Sequence, residues 1–344
     1  MPSFDVIDAK QCKPLATPKV SVVVPCFNGE KMLEKAIESV LSQTVWDSME
    51  LIIVDDKSTD GSLELLKQYD DNPKITVLKN EINRGISATK NHAIRAAKGE
   101  LVAFLDQDDI WWKDKIEKQS SLFLDSEIGL AVCSVIYQDE LGANKGKSQL
   151  PPGKYHTIKP QVIAIDHTSP ELLLKYPVAS ASTVMVRKAC FDEYGLLNEK
   201  LYSGDEIELC SRVLGRYKIV FDEQPLVFKI VHDKNASGNV EKMRNARLML
   251  LDELVKNLPI LKKYESARKA DIFFVNGVEC LLLGRRLDAR EDFIQSIKNN
   301  KGCVRYYIAF CMTIKMADAA IKRLREFKRT IRRLSLQAQR SQQS

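Results

Sequence analysis

Three carboxylates follow an all-apolar run of the chain. Residues 101–105, Leu-Val-Ala-Phe-Leu, lead directly into Asp106, Asp108 and Asp109. Such a run is typical of a strand buried on both faces, and α/β sheets bind ligands at the carboxyl ends of their strands. The repulsion between three nearby anions would be relieved by a divalent cation or a metal-chelated diphosphate. The alternative is an acidic turn that caps the next helix.

Little else in the composition suggests competing chemistry. The eight cysteines are scattered without a C-x-x-C pair, and there are only four histidines. This argues against a structural zinc site, a disulfide framework and a multi-histidine metal site. The chain contains no G-x-G-x-x-G, no G-x-x-x-x-G-K-[S/T] and no G-x-S-x-G, which argues against a Rossmann site, a P-loop and a hydrolase elbow.

Strands and helices alternate through the first third of the chain. Apolar runs predict strands at 20–24, 51–54, 75–78 and 101–105. Each strand is followed by a polar turn and then by apolar residues at helical spacing. This spacing predicts helices at 30–43, from the turn at 57–62 through Tyr69, at 86–97 and at 113–124. Four such repeats predict an α/β fold with a doubly wound, mostly parallel sheet flanked by helices. Asn28, Asp56 and Asp106 would then lie on one edge of the sheet.

The remaining chain predicts more strands and then an all-helical C-terminal appendage. Strands are expected at 130–137, 182–187, 218–221 and 226–232, and helices at 205–214, 240–257, 265–283, 286–299 and 303–336. The proline-containing stretch at 138–181 is predicted to be a long loop. The expected organisation is a lead-in segment (1–18), an α/β domain (19–235), a helical appendage (239–302) and a basic amphipathic helix with its tail (303–344).

The positive charge is concentrated near the C-terminus. Residues 321–340 hold eight basic side chains and one acidic side chain, while the whole chain has a net charge of +6. On a helix, Ile321, Leu324, Ile331 and Leu334 would form an apolar stripe among these cations, which favours binding to an anionic membrane surface. The alternative is a partly frayed helix that packs on the appendage. Nucleic-acid binding is disfavoured because no aromatic residues interleave with the cations.

Five segments resemble one protein family. Residues 20–29, Val-Ser-Val-Val-Val-Pro-Cys-Phe-Asn-Gly, resemble the opening strand of family 2 glycosyltransferases with the GT-A fold. Further segments resemble the family at 39–44, 53–61, 83–91 and 104–111, and the last of these contains a D-x-D motif. The resemblance extends over residues 19–232 and implies an inverting, metal-dependent transferase. Such an enzyme moves a sugar from a nucleotide diphosphate sugar, here expected to be a UDP-sugar, to an acceptor hydroxyl.

The resemblance also implies roles for individual residues. Those expected around the nucleotide sugar are Pro25, Phe27, Asn28, Asp56, Arg84 and Asp106, and those expected to bind Mn²⁺ or Mg²⁺ are Asp108 and His232. The alternatives are a turn cap for Asp56, a solvated side chain for Arg84 and a structural histidine at His232. Asp109 is expected to cap the following helix.

The catalytic base is expected in residues 203–212, which resemble the family pattern E-D-x-D-L-x-x-R with the first two acids reversed. Alignment places Glu206 as the base, and Asp205 takes that role if the turn is shifted by one residue. The alternative is an acidic first turn that complements the helix dipole. Arg212 is expected to orient this segment through a carboxylate pair. Lys90 stands where the family often has arginine, and no ligand is assigned to it.

The expected setting also follows from the resemblance. It implies synthesis of a surface polysaccharide or glycan on a glycan or lipid-linked acceptor. No signal peptide and no run of about 18 apolar residues is found, so we expect a cytoplasmic enzyme, peripheral on the inner face of the cell membrane. Two alternatives are a catalytically inactive GT-A scaffold and a nucleotidyltransferase. The second is disfavoured because residues 25–30 contain no Lys or Arg.

Overall fold

A computed structural model describes residues 20–139, 144–148, 162–174, 180–232 and 238–315. It divides the chain into two compact units, residues 1–231 and 232–344. The predicted lead-in segment and the basic segment at 321–340 lie outside the described residues. The four-part organisation therefore stays a prediction.

The first half of the sheet has the predicted alternation. Its strands are β1 (Val20–Cys26), β2 (Met49–Asp55), β3 (Ile75–Lys79) and β4 (Leu101–Phe104), which pair in parallel in the order β3-β2-β1-β4. The intervening helices are α1 (Leu33–Leu41), α2 (Ser62–Leu66) and α3 (Ile86–Ala96). Parallel neighbours require such crossovers, so this half of the sheet is doubly wound as predicted.

The second half of the sheet is mixed. Its strands are β5 (Asp109–Trp111), β6 (Ile128–Asp139), β7 (Asn144–Ser148), β8 (Val162–Ile165), β9 (Val184–Arg187) and β10 (Lys218–Val231). The order continues from β4 as β9-β6-β10-β5, with β7 beside β6 and β8 beside β10. Strand β9 is antiparallel to both β4 and β6, whereas β6 and β10 are parallel. The helices of this half are α4 (Lys115–Ser121), α5 (Ala189–Tyr194) and α6 (Asp205–Val213).

Two details of this half differ from the predictions. The two strands expected at 218–221 and 226–232 form one strand, β10, whose register shifts between Asp222 and Val227. The bulge interrupts the apolar pattern without ending the pairing. Strands β7 and β8 lie inside the stretch that was predicted to be a loop.

The core forms because apolar side chains cover the faces of the parallel strands. Helix α1 has Leu33, Ile37 and Val40 at helical spacing, and all three are buried. They belong to the same cluster as Val22 and Leu51 of the sheet. Full burial of one such side chain contributes roughly 1.5–3 kcal/mol to stability, so this packing holds α1 against β1 and β2.

The described part of the second unit is helical, as predicted for the appendage. Its helices are α7 (Val240–Asn257), α8 (Lys262–Leu282), α9 (Arg286–Asn299) and α10 (Val304–Lys315). Phe293 is fully buried against Gly277, where an added Cβ would lie 2.6 Å from the ring. Within the described residues, no helix combines the length and apolar character needed to cross a membrane.

Candidate active site

The carboxyl ends of β1, β2 and β4 meet at one edge of the sheet. Cys26 lies beside Asp55 in the register of β1 and β2, and Val23 lies beside Phe104 in that of β1 and β4. The backbone N–H of Asp56 donates to the carbonyl of Cys26 at 2.7 Å. The turns that carry the predicted nucleotide-binding residues are therefore neighbours.

Asn28 joins the turns after β1 and β2. Its backbone adopts a left-handed conformation with φ of 50°, which asparagine tolerates better than most residues. The Asn28 N–H donates to Ser58 Oγ at 2.9 Å, and Asn28 Oδ1 accepts from the Thr59 N–H at 2.8 Å. The Asn28 side chain thus holds the loop in shape beside Pro25 and Phe27, and the Phe27 side chain is exposed.

Asp56 organises the turn that precedes α3. Its buried carboxylate accepts from the N–H groups of Arg84 and Gly85 at 2.8 and 2.9 Å and from Asn80 Nδ2 at 2.8 Å. The Asp56 carboxylate thus holds the turn at residues 83–85, and its contact with a nucleotide stays a prediction. The Arg84 side chain is exposed, and its guanidinium lies 3.8 Å from the carboxylate of Glu199. An exposed ion pair of this kind contributes little to stability, so Arg84 can move toward a ligand at low cost.

Gln107, the middle residue of the D-x-D motif, connects this motif to the turn after β1. Its side-chain oxygen accepts from the Phe27 N–H at 2.9 Å, and its Nε2 donates to the Phe27 carbonyl at 3.0 Å. A Cβ at Gly29 would lie 2.5 Å from Gln107 Oε1, so a larger residue there would displace the Gln107 side chain from these hydrogen bonds. Sequence reasoning missed this contact, because a lone glutamine between two aspartates carries no pattern of its own.

The three acids of the D-x-D region form one group. One carboxylate oxygen from each of Asp106, Asp108 and Asp109 lies within 4.8 Å of the others. Asp109 is fully buried in β5, and its Oδ2 lies 2.8 Å from Ser180 Oγ and 2.6 Å from Ser182 Oγ.

The prediction that Asp109 caps the following helix is therefore wrong. Helix α4 begins only at Lys115, after Asp114. Asp109 instead pairs with Lys229 in the register of the antiparallel strands β5 and β10, and this pairing draws its carboxylate inward.

Lys229 of β10 supplies the counter-charge to this acidic group. Its ammonium lies 3.6 Å from Asp109 Oδ2, 4.0 Å from Asp106 Oδ2 and 3.4 Å from Ser180 Oγ. Burial opposes the charge on Lys229, but the surrounding carboxylates raise its pKa well above the ordinary value. Burial raises the pKa of Asp109 to about 6 even though Lys229 acts in the opposite direction. One sequence signal for this residue was available, since Lys229 is the one cation within the otherwise apolar run of residues 225–231.

The acidic group fits a divalent cation. The Oδ1 atoms of Asp106 and Asp109 are both buried without a hydrogen-bond partner among the described residues. A buried carboxylate oxygen without a partner is costly, and hard oxygen ligands suit Mg²⁺ or Mn²⁺. His232 is half-buried and directly follows β10. The group that the described residues form contains the three aspartates and no histidine.

A second acidic pair lies at the start of α6. Asp205 and Glu206 are the first residues of this helix, follow Gly204 with its φ of +86°, and are almost completely buried. The ammonium of Lys90, from α3, lies 3.3 Å from Asp205 Oδ2 and donates a hydrogen bond to Glu206 Oε1. The pair is therefore neutralised from an element that precedes it by more than a hundred residues.

The two carboxyl groups of this pair differ in pKa. Burial and the adjacent Asp205 raise the pKa of Glu206 to about 8, which Lys90 only partly offsets. For Asp205, burial acts upward, but Lys90 and the hydrogen bonds around it hold the pKa below the usual range. Asp205 is thus the stronger acid of the two and the weaker base.

Arg212 forms a carboxylate pair with Glu208. Its guanidinium contacts the Glu208 carboxylate at 2.9 Å through both Nε and Nη2. Nη1 and Nη2 also donate to the carbonyls of residues 194–196. Arg212 therefore fixes α6 against the end of α5 and does not contact the acidic pair itself.

The comparison with protein families matches this architecture. Residues 21–195 match the family described as "Glycosyl transferase family 2". The chain belongs to glycosyl transferase family 2. The matched region contains the family's D-x-D segment and ends before α6, which carries the Asp205-Glu206 pair.

Relatives within glycosyl transferase family 2 match part of this chain. The UDP-Glc:alpha-D-GlcNAc-diphosphoundecaprenol beta-1,3-glucosyltransferase WfgD of Escherichia coli is 38% identical over 109 residues, covering 32% of this chain and 42% of that protein. The match likewise covers less than half the length of several other curated relatives.

Solved structures of two other proteins share the fold. The mannosyltransferase PcManGT from Pyrobaculum calidifontis, in complex with GDP-Man and Mn²⁺, has a TM-score of 0.63 at 16% identity and covers 98% of this chain and 88% of its own. Residues 1–349 of S. aureus TarS, in complex with UDP-GlcNAc, give a TM-score of 0.55 at 17% identity over 86% of this chain and 91% of that one. At such identities the likeness establishes the fold, here that of GT-A enzymes, and confirms the predicted fold class.

Proposed function

We propose that this protein is an inverting, metal-dependent glycosyltransferase that moves a sugar from a UDP-sugar to an acceptor hydroxyl. The observation that carries the proposal is the proximity of two acidic groups with different environments, the half-buried Asp106 and Asp108 with the buried Asp109, and the buried Asp205 and Glu206. The Lys90 ammonium, which contacts Asp205 and Glu206, lies 5.6 Å from the ring centroid of Phe104. Phe104 ends β4, two residues before Asp106. One group has the orphaned oxygens that a cation needs, and the other holds a carboxyl of raised pKa.

The donor nucleotide would bind at the edge formed by the turns after β1 and β2. Pro25, Phe27 and Asn28 would border the base and ribose, and the exposed Phe27 ring offers an apolar face for the base. Asp56 would contact the base edge while it continues to hold the turn before α3. Arg84 would neutralise the diphosphate, since its guanidinium is exposed and only loosely paired.

The cation would be held by Asp108 together with Asp106 and Asp109. Bound there, it would stabilise the negative charge that develops on the leaving nucleoside diphosphate. Asp106 would also approach the ribose, since its backbone is fixed by the bond from its N–H to Ser182 Oγ at 2.9 Å. His232 as a further ligand stays a prediction.

Glu206 would act as the base. In an inverting displacement, the acceptor oxygen forms its bond to the anomeric carbon as the bond to the diphosphate breaks, and the acceptor proton moves to the carboxylate. A base is most effective when its pKa lies near the working pH, which favours Glu206 over the more acidic Asp205. Its burial at the start of α6 excludes water from the proton transfer.

The acceptor and cellular setting are proposed from the relatives. WfgD is named as an enzyme that acts on a diphosphoundecaprenol-linked sugar, so we propose a lipid-linked glycan acceptor in surface polysaccharide synthesis. The basic segment at 321–340 would then hold the enzyme at the anionic inner face of the cell membrane.

A vesicle experiment tests this membrane proposal. The amount of protein that sediments with anionic vesicles should fall when residues 321–344 are deleted. Unchanged sedimentation would contradict the membrane proposal.

Donor binding is the first test of the function. Calorimetry with UDP-, GDP- and dTDP-sugars, with and without Mn²⁺, should show a Mn²⁺-dependent preference for UDP-sugars. Asp108→Ala should abolish the Mn²⁺ dependence, whereas Asp71→Ala at an exposed turn should leave it unchanged. An inactive scaffold would bind no donor, and a nucleotidyltransferase would release pyrophosphate from a nucleoside triphosphate. Either outcome would refute the proposal.

A further inference from the structure

Lys90 is among the most deeply buried charged residues of the described chain. Only 2% of its side chain is exposed, yet it carries an ammonium whose pKa is raised above the ordinary value by Asp205 and Glu206, against the effect of burial. From this buried position the Lys90 ammonium cannot contact solvent or a ligand bound at the protein surface. Its direct contacts with candidate catalytic groups are therefore the two carboxylates of Asp205 and Glu206, while Asp106 acts on it from a greater distance.

One face of α3 fixes the first turn of α6. Ser87, Lys90 and Asn91 occupy positions i, i+3 and i+4, which lie on the same side of a helix. Ser87 is hydrogen-bonded to Asp205 and lies 3.4 Å from the Leu201 carbonyl. Asn91 exchanges hydrogen bonds of 2.9 and 3.0 Å with the backbone of Leu197. The segment that leads into α6 is thus held at both its ends by α3.

Several carboxylates share the positive charge of Lys90. Asp205 and Glu206 face it from α6, Asp106 acts on it from the turn after β4, and the centroid of the Phe104 ring lies 5.6 Å from its ammonium. Two adjacent buried carboxylates would repel each other strongly without a cation. A lysine ammonium is a compact charge that can serve two acceptors at once, whereas a guanidinium is a planar fork that favours one bidentate partner.

The lengths of the two side chains also match. Lys90 and Glu206 approach within hydrogen-bond distance across the space between α3 and α6. Arginine at position 90 would be longer and bulkier at its tip, and aspartate at position 206 would be shorter by one methylene. Either change alone would misplace the carboxylate, while the two together would largely restore the combined reach.

We infer that Lys90 is a positioning residue that fixes the carboxylate of Glu206 for proton transfer, with a reach matched to that side chain. This inference rests on the proposed function. Lys90 also keeps Asp205 ionised beside Glu206, so that one cation serves an anion and a base in the same buried site. In the sequence, Lys90 and the reversed order of Asp205 and Glu206 are two separate departures from the family pattern. The structure brings these positions into contact.

A double-mutant cycle tests the inference. Lys90→Arg, Glu206→Asp and the double variant are assayed for sugar transfer with the best donor and acceptor, alongside Lys35→Arg at an exposed position of α1. Each single change should lower kcat at least tenfold while the donor KM changes less than threefold. The double variant should recover to within about threefold of the wild type. Losses that simply multiply in the double variant would overturn the inference.

The pH profile gives a second readout that a merely structural role would not move. In Lys90→Met the lost positive charge should shift the acid limb of kcat/KM to higher pH, because the carboxylate of Glu206 becomes harder to ionise. Lys90→Arg keeps the charge and should leave this limb near the wild-type position. An unmoved limb in a folded Lys90→Met protein would refute the inference. If Lys90→Met does not fold, the double-mutant cycle decides alone.

Failure of the proposed function has a different outcome. Donor binding does not need the base, so wild-type protein that binds no nucleotide sugar refutes the function itself and the inference with it. Wild-type protein that transfers sugar, with kcat insensitive to Lys90→Arg and Lys90→Met, refutes the role of Lys90 and leaves the function standing.

Discussion

Replacing Gln107 by alanine tests whether the D-x-D turn and the turn after β1 form one unit. The change removes two hydrogen bonds, of 2.9 and 3.0 Å, between the Gln107 side chain and the backbone of Phe27. A neutral hydrogen bond contributes about 1 kcal/mol of free energy, so the two bonds that hold the turns together contribute about 2 kcal/mol, which the variant loses. Since Phe27 is exposed, water can satisfy its freed N–H and carbonyl, and the change should not unfold the protein.

The loss should appear mainly in ligand binding. A nucleotide diphosphate that touches both turns must now order them itself, and 2 kcal/mol corresponds to a fall in affinity of about thirtyfold at most. Calorimetry at fixed Mn²⁺ measures this, and urea unfolding should show a decrease in stability of about 2 kcal/mol at most. Gln68→Ala, at an exposed position beside α2, is the matched control. The reasoning fails if Gln107→Ala binds the nucleotide as tightly as Gln68→Ala does.

Three further changes test stability. Burial raises the pKa of Asp222 to about 6, so the folded state binds this proton more tightly than the unfolded chain does. The folded state therefore loses stability as the pH rises from about 4 to 6. In urea unfolding, Asp222→Asn should remove this loss and increase the stability by at most about 3 kcal/mol at pH 8 and by almost nothing at pH 4. Gly277→Ala should destabilise the protein by about 1–2 kcal/mol in thermal unfolding, because the clash with Phe293 outweighs the better helix propensity of alanine. Lys229→Met should destabilise it by about 3 kcal/mol in chelator, because Asp109 loses its buried counter-charge.

Each of these predictions has a clear contrary result. A gain for Asp222→Asn that is equal at pH 4 and pH 8 would show that its charge is not the cause. Gly215→Ala, where an added Cβ meets nothing within 4 Å, is the control for Gly277, and equal effects would remove the clash argument. For Lys229, no loss of stability in chelator would show that Asp109 does not depend on this cation.

The predictable part of the fold is the part with continuous apolar runs. Strands β1, β2 and β4 are buried on both faces, so their sequences show the strand directly, and the family assignment made from the turns of this region is confirmed. Strand β5 has three residues and begins with a buried carboxylate, so its pattern resembles a helix cap. Its inward position depends on β10, a partner distant in sequence, which no local pattern indicates.

The candidate site could also be predicted only in part. The acidic residues were recognisable as motifs, but the sequence did not indicate which residues contact and position them. Lys90, Gln107 and Lys229 act through contacts with residues 80 to 120 positions away, and each stands singly in its own segment. Charge type can be recognised in a sequence, whereas the pairing of a buried charge depends on which elements pack together.

The pairing of β5 with β10 has a consequence for how the protein is made. The D-x-D turn leaves the parallel half of the sheet at β4 and reaches the other end of the strand order, where Asp109 meets Lys229 about 120 residues later. During synthesis the βα repeats of the first hundred residues can pack early, because their contacts are local. Contacts between distant segments form late. We therefore expect the turn that carries Asp106, Asp108 and Asp109 to stay unformed on the ribosome until β10 has emerged, so that a truncated chain has the doubly wound half of the sheet and lacks the divalent-ion binding proposed for this turn.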